Sequence, residues 1–95
     1  FLTSGVATEP RAYWAPYAAS KAALESLVQC YAAELNVTPI KANLFSPGPV
    51  RTAMRAKAFP GEDPMTLPTP DEVAPAMAAM LSASYAANGE TVRFQ

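Results

Sequence analysis

Ninety-five residues with a formal net charge of −1 make one compact domain at most, and a chain of this size buries only roughly two-thirds of its unfolded surface. Apolar residues make up 51% and charged residues 16%, the profile of a globular domain with no Lys/Arg cluster to meet nucleic acid or an anionic membrane. Histidine is absent, which excludes Ser-His-Asp and Cys-His chemistry and leaves no metal site expected, while a single cysteine permits no intrachain disulfide and points to a reducing, cytoplasmic setting.

In chain order, Phe1-Leu2-Thr3-Ser4-Gly5 reads as the end of a strand turning out at Gly5, with sequence expected upstream of Phe1. Pro10 breaks the following loop. From Pro16 to about Leu35 the longest helix is expected, opened by a proline whose φ is already helical. Leu24, Leu27, Val28, Tyr31 and Leu35 recur at helical spacing as one stripe. So few charges on this helix predict burial on more than one side, with Cys30 as a small buried side chain. Asn36 is placed to cap its end, and Pro39 forbids its continuation.

Ile40 to Phe45 reads as a short strand, ended by Ser46-Pro47-Gly48-Pro49. Residues 52–70, rich in Pro, show no sustained period and are expected to be a mobile lid or an irregular connection. Thr69 or Asp71 then caps a second helix over about 71–84, with Val73, Met77, Met80 and Leu81 on its apolar face. Asn88-Gly89 makes a turn into a last strand, Thr91 to Phe94. The order strand, helix, strand, helix, strand predicts an α/β fold with a parallel sheet, its ligands at the carboxyl ends of the strands. No apolar run approaches the roughly 18 residues of a membrane-spanning helix.

The chemistry is concentrated in Tyr17-Ala18-Ala19-Ser20-Lys21. Spacing of four puts the Tyr17 phenol and the Lys21 ammonium on one helical face. A unit charge about 5 Å from a phenolate, at an effective dielectric of roughly 20, stabilises it by on the order of 3 kcal/mol. Such a phenol is poised to give and take a proton.

This segment resembles the active-site helix of the short-chain dehydrogenases/reductases, including the small residues and the Ser before the Lys. Ser4, 13 residues before Tyr17, matches the position of that family's catalytic serine. Asn43-Leu44-Phe45-Ser46-Pro47-Gly48-Pro49-Val50-Arg51-Thr52 resembles its next block, and Asn88-Gly89-Glu90-Thr91 the turn before its last strand. The resemblance implies the carboxyl-terminal part of a Rossmann-like doubly wound sheet. It implies an oxidoreductase moving hydride between NAD or NADP and a small carbonyl or alcohol substrate, and a homo-oligomer formed through the Ala-rich helix.

By the same resemblance, Tyr17 is the general acid and base and Ser4 steadies the substrate oxygen. Lys21 supports the phenolate and holds the nicotinamide ribose. Pro47, Gly48, Val50 and Thr52 line the cofactor's carboxamide, and residues 53–70 form the substrate loop, with Met54, Phe59, Met65 and Leu67 as an apolar surface. Trp14 and Tyr13 adjoin the site as packing or substrate-wall residues, whereas Arg51, Arg55 and Lys57 read as solvated loop charges, with contact to an anionic substrate or phosphate as the alternative.

The sequence departs from the family pattern in two respects: its four glycines form no dinucleotide-binding loop, and the family's upstream Asn on a preceding helix is missing. The amino-terminal nucleotide-binding half is therefore expected to be absent, and with it the residue that chooses NAD or NADP. That leaves a rival reading, a non-catalytic piece that folds and self-associates. Epimerase or dehalogenase chemistry on a related fold is a third, though the dehalogenase variant carries Arg where Lys21 stands.

Overall fold

Leu44 and Phe45, almost fully buried neighbours in the sequence, hold the sheet from its centre. In the computed structural model, which describes residues 1–95, they belong to β1 (Leu44–Ser46), buried at all three positions. β2 (Thr91–Arg93) runs parallel to β1 in the register Leu44–Thr91, Phe45–Val92 and Ser46–Arg93. On the other edge Leu2 makes a single parallel bridge to Phe45, supported by Thr3 N–H to the Phe45 carbonyl at 2.9 Å and Phe45 N–H to the Phe1 carbonyl at 2.8 Å. The expected first strand is thus an extended segment with one bridge. β1 lies between two parallel neighbours, which explains why it is buried throughout.

Successive strand side chains point to opposite faces, so Leu44 and Phe45 face different layers. Leu44 joins Val28, Ala32, Leu35 and Ala42 in one cluster, with Leu24 against it. Leu24, Val28 and Ala32 come from α1 (Ala15–Glu34), and Leu35 caps its end. Phe45 faces a cavity of about 150 Å³ bordered by Met77, Met80 and Leu81 at the end of α3 (Pro70–Ala79). Helices therefore cover both faces of the small parallel sheet.

α1 runs the length expected, with Pro16 in its first turn. Its burial is one-sided, contrary to the expectation of a helix enclosed on several sides. Ala18, Val28 and Ala32 are its buried residues, while Leu27, Tyr31 and Cys30 are exposed. The stripe splits because the sheet it covers is narrow: positions 24, 28, 32 and 35 fill the contact, and Leu27 and Tyr31 lie off it. At its end Leu35, rather than Asn36, is the cap. Asn36 instead meets the Asn88 side chain at 3.4 Å.

Asn88 also donates to the Ala32 carbonyl at 2.8 Å and accepts from Ala42 N–H at 2.9 Å. It thereby satisfies an α1 carbonyl and joins that helix to the approach to β1. Asn43 exchanges bonds with Ala87 and Glu90. These contacts take the backbone groups that a longer strand would use, so the strand expected from Ile40 begins only at Leu44. Ser46, expected to end it, lies inside it and is buried.

Residues 52–70 correct another expectation, since they are locally ordered. The Thr52 hydroxyl accepts from Arg55 N–H at 3.1 Å and caps α2 (Ala53–Ala58). Asp63 caps a 3-10 turn at Pro64–Thr66 through Met65 N–H at 2.9 Å. Both devices satisfy amide groups at helix starts that are too short to show a hydrophobic period. Thr69 caps α3 through Glu72 N–H. α3 stops at Ala79, short of the expected residue 84, and carries Pro75 internally.

Ten of the 95 residues are buried, and the accessible surface of 6324 Å² exceeds the roughly 5,200 Å² expected for a self-contained domain of this mass. The excess leaves apolar surface open on a body only 16 Å thick. No helix is long and apolar enough to cross a membrane.

Candidate active site

All three parallel segments end on the same side, and the candidate residues gather there. Ser4 follows the extended segment and caps the 3-10 turn Gly5–Ala7, which packs against α1. The Ser4 hydroxyl makes no hydrogen bond within the chain, nor does the phenol of Tyr17. Tyr17 lies in the first turn of α1, half-buried. One turn on, the Lys21 ammonium stands 5.7 Å from the centre of the Tyr17 ring and donates to the Leu2 carbonyl at 3.2 Å. That second bond anchors Lys21 to the segment leading into Ser4. The Thr3 hydroxyl reinforces the join by donating to Glu25 of α1 at 2.8 Å.

Beyond β1, the turn at Pro47–Val50 is held from an unexpected quarter. Gln95 Nε2 donates to the carbonyls of Pro47 at 2.9 Å and Pro49 at 2.7 Å. Gly48 has φ +74°, and a Cβ there would lie 2.9 Å from the Gln95 side chain. Only glycine meets both demands. Val50, half-buried, keeps its backbone N–H unbonded within the chain, while Thr52 accepts at its oxygen and retains its hydroxyl proton. The sequence offered no signal for Gln95, because its partners lie 46 and 48 residues away.

Trp14 links this turn of α1 to the 53–70 segment. Its ring packs edge-on to Tyr17 at 5.9 Å and tilted against Phe59 at 5.6 Å, so two elements far apart in sequence share one aromatic wall. Of the two roles expected for Tyr13, packing does not hold: it is fully exposed at φ +71°, while Trp14 takes the inward place.

The loop arginines correct the reading of solvated charges. Arg51 donates to the carbonyls of Pro64 at 2.9 Å and Leu67 at 3.1 Å. Arg55 forms a two-pronged pair with Glu62 at 2.8 and 2.9 Å, and its guanidinium lies 3.7 Å from the centre of the Phe59 ring. The hydrogen bond from Arg55 holds the Glu62 carboxyl below its ordinary value, and the same bond raises Arg55. With Thr52, Phe59 and Leu67 these arginines border a cavity of about 180 Å³. Lys57 is exposed, as expected.

Known proteins resemble this chain in sequence and fold. Residues 1–63 match the short chain dehydrogenase family. The uncharacterized oxidoreductase YciK of Escherichia coli strain K12 is 47% identical over 75 residues, which are 79% of this chain and 29% of that protein. A short chain dehydrogenase from Salmonella enterica serovar Typhi superposes with a TM-score of 0.94 at 38% identity, over all of this chain and 40% of that one. One from Escherichia coli CFT073, solved as a complex with NADPH, gives 0.93 at 41% identity, again over the whole chain and 40% of the other. The chain thus spans well under half the length of these relatives. With two-thirds of its residues matched by the family and its whole length superposed on these structures, the chain belongs to the short chain dehydrogenases.

Proposed function

We propose that these 95 residues carry the active-site portion of an NAD(P)-dependent oxidoreductase, the carboxyl-terminal part of a Rossmann-like fold, acting on a small carbonyl or alcohol. The observation that carries this reading is the Lys21 ammonium 5.7 Å from the Tyr17 ring, tied back to the segment that ends in Ser4. The relative solved with NADPH supports the choice of cofactor class.

The residues fit the nicotinamide end of such a cofactor. The Val50 N–H and the Thr52 hydroxyl proton are free to meet a carboxamide, and the Pro47-Gly48 turn beside them is fixed by Gln95. Lys21 has donors left for a ribose after its one bond to Leu2. When bound, the nicotinamide supplies or accepts hydride.

Tyr17 gives its phenolic proton to the substrate oxygen in reduction and takes it back in oxidation. Lys21 stabilises the phenolate left behind, and the free Ser4 hydroxyl donates to the same substrate oxygen as charge develops on it. Trp14 and Phe59 present an apolar wall to the substrate, with residues 53–70 as the substrate loop.

A second reading, self-association without catalysis, is favoured by one observation: Leu27 and Tyr31 of α1 are 62% and 41% exposed on the side away from the sheet. Pairing of copies there would cover an apolar face, and homo-oligomers of the active portion would use the same surface. An exposed, unpaired Cys30 fits the reducing cytoplasm.

The test is turnover. The full chain is mixed with NADPH and a panel of small aldehydes and ketones, and the nicotinamide absorbance is followed. Consumption of NADPH that disappears in Tyr17→Phe supports the catalytic reading. Consumption that survives in Tyr17→Phe removes the assigned roles, and no consumption favours association alone.

A further inference from the structure

Lys21, Arg11, Arg51 and Arg55 differ in how far their charge is already used. Arg55 is paired with Glu62, Arg51 donates to two carbonyls, and Lys21 donates to Leu2. Arg11 alone among them makes no hydrogen bond and no ion pair through its side chain. It is nonetheless held in place: its guanidinium lies 5.6 Å from the centre of the Trp14 ring and 5.8 Å from that of Phe59. Both separations are within cation–π range, so two aromatic faces orient the group while its five N–H donors stay available. Trp14 also packs edge-on against Tyr17, at 5.9 Å.

We infer that this wall selects planar substrates bearing an anionic group, a carboxylate above all, with Arg11 the residue that pairs with it. The inference rests on the reading of Tyr17 as the proton-handling group. A planar substrate lying along Trp14 places its reacting oxygen toward Tyr17 and its carboxylate toward Arg11. A guanidinium fork matches a carboxylate with two parallel hydrogen bonds, which a hydroxyl or amide cannot reproduce. Because Arg11 is exposed, the gain is modest and salt-dependent, in the range of surface ion pairs. Its work is therefore discrimination among substrates rather than raw affinity.

The test uses the full chain without cofactor and follows the indole N–H signal of Trp14, the sole tryptophan, by NMR. Benzoate is titrated against benzamide, a neutral molecule of the same shape. The expected result is a Trp14 shift with benzoate binding about threefold tighter or more. That preference should vanish in Arg11→Met and shrink as ionic strength rises from roughly 0.01 to 0.15 M. Equal affinities, no Trp14 shift, or a preference that persists in Arg11→Met would overturn the inference. No nicotinamide is present, so the outcome is separable from the redox reading: a chain that never consumes NADPH but discriminates benzoate through Arg11 keeps this ligand site and loses only the oxidoreductase assignment.

Discussion

The ammonium of Lys21 stands over the ring of Tyr17, 5.7 Å from its centre, while donating to the carbonyl of Leu2. One lysine thus touches both the helix that carries the phenol and the segment that ends in Ser4. Its hold on Leu2 limits how far the side chain can swing from Tyr17. If Tyr17 is the acid and base, Tyr17→Phe removes the exchangeable proton and little else, since the phenol makes no hydrogen bond within the chain. Turnover should fall about a hundred- to ten-thousand-fold, while NADPH affinity stays within about twofold. Paired measurement of kcat and of the NADPH Kd checks this.

The Pro47–Val50 turn is expected to depend on glycine for two separable reasons. Gly48→Ala places a Cβ at φ +74°, at a cost of about 1–2 kcal/mol, and drives it into the Gln95 side chain. Chemical denaturation should show that loss. In a Gln95→Gly background, which removes the Cβ and amide that the new methyl meets, Gly48→Ala should cost less than it does in the parent chain, and the cost that remains is the backbone part.

The Arg55–Glu62 pair sets a pH dependence with a definite sign. The Glu62 carboxyl is held below its ordinary 4.5, first by its hydrogen bond from Arg55. A carboxyl lowered on folding contributes stability that is complete above its unfolded value and lost as pH falls through the folded one. The order of residues 53–62 should therefore weaken only below about pH 4.5 and be insensitive to pH from there to neutrality. An NMR titration of the Glu62 carboxyl carbon reads the midpoint directly, and Arg55→Met should move it upward.

Leu44 is the side chain on which α1 and the sheet meet. It is buried to 1% exposure in a core of few residues. Leu44→Ala should cost about 2–5 kcal/mol, a large share of the stability of a chain this small. Thermal unfolding by circular dichroism should show a clear loss, whereas Leu27→Ala, off the contact, should leave the midpoint nearly unchanged.

Much of the fold was legible in residues 15–35 and at the start of α3. Pro16, the alanines and the helical recurrence of Leu24, Val28 and Leu35 define α1, and Thr69 marks the start of α3. The alternation of strands and helices gave the parallel sheet. Periodicity could not say how wide that sheet is, so Leu27, Tyr31 and Cys30 read as core although they face solvent. Nor could it find α2, since six residues span fewer than two turns and the signal is a single Thr52 cap. In the candidate site, the Tyr17–Lys21 pair was legible from its helical spacing of four, whereas Ser4 came only through the resemblance to the family. Gln95 on Pro47 and Pro49, and Phe59 on Trp14, join parts of the chain more than forty residues apart, which local pattern does not encode.

The most direct measurement is a titration of the full chain with NADPH, followed by the fluorescence of Trp14, which touches Tyr17. Saturable quenching is expected, weakened in Lys21→Met and preserved in Tyr17→Phe. A Trp14 signal that does not respond to NADPH, or that responds equally in Lys21→Met, would contradict a nicotinamide site built on Tyr17 and Lys21.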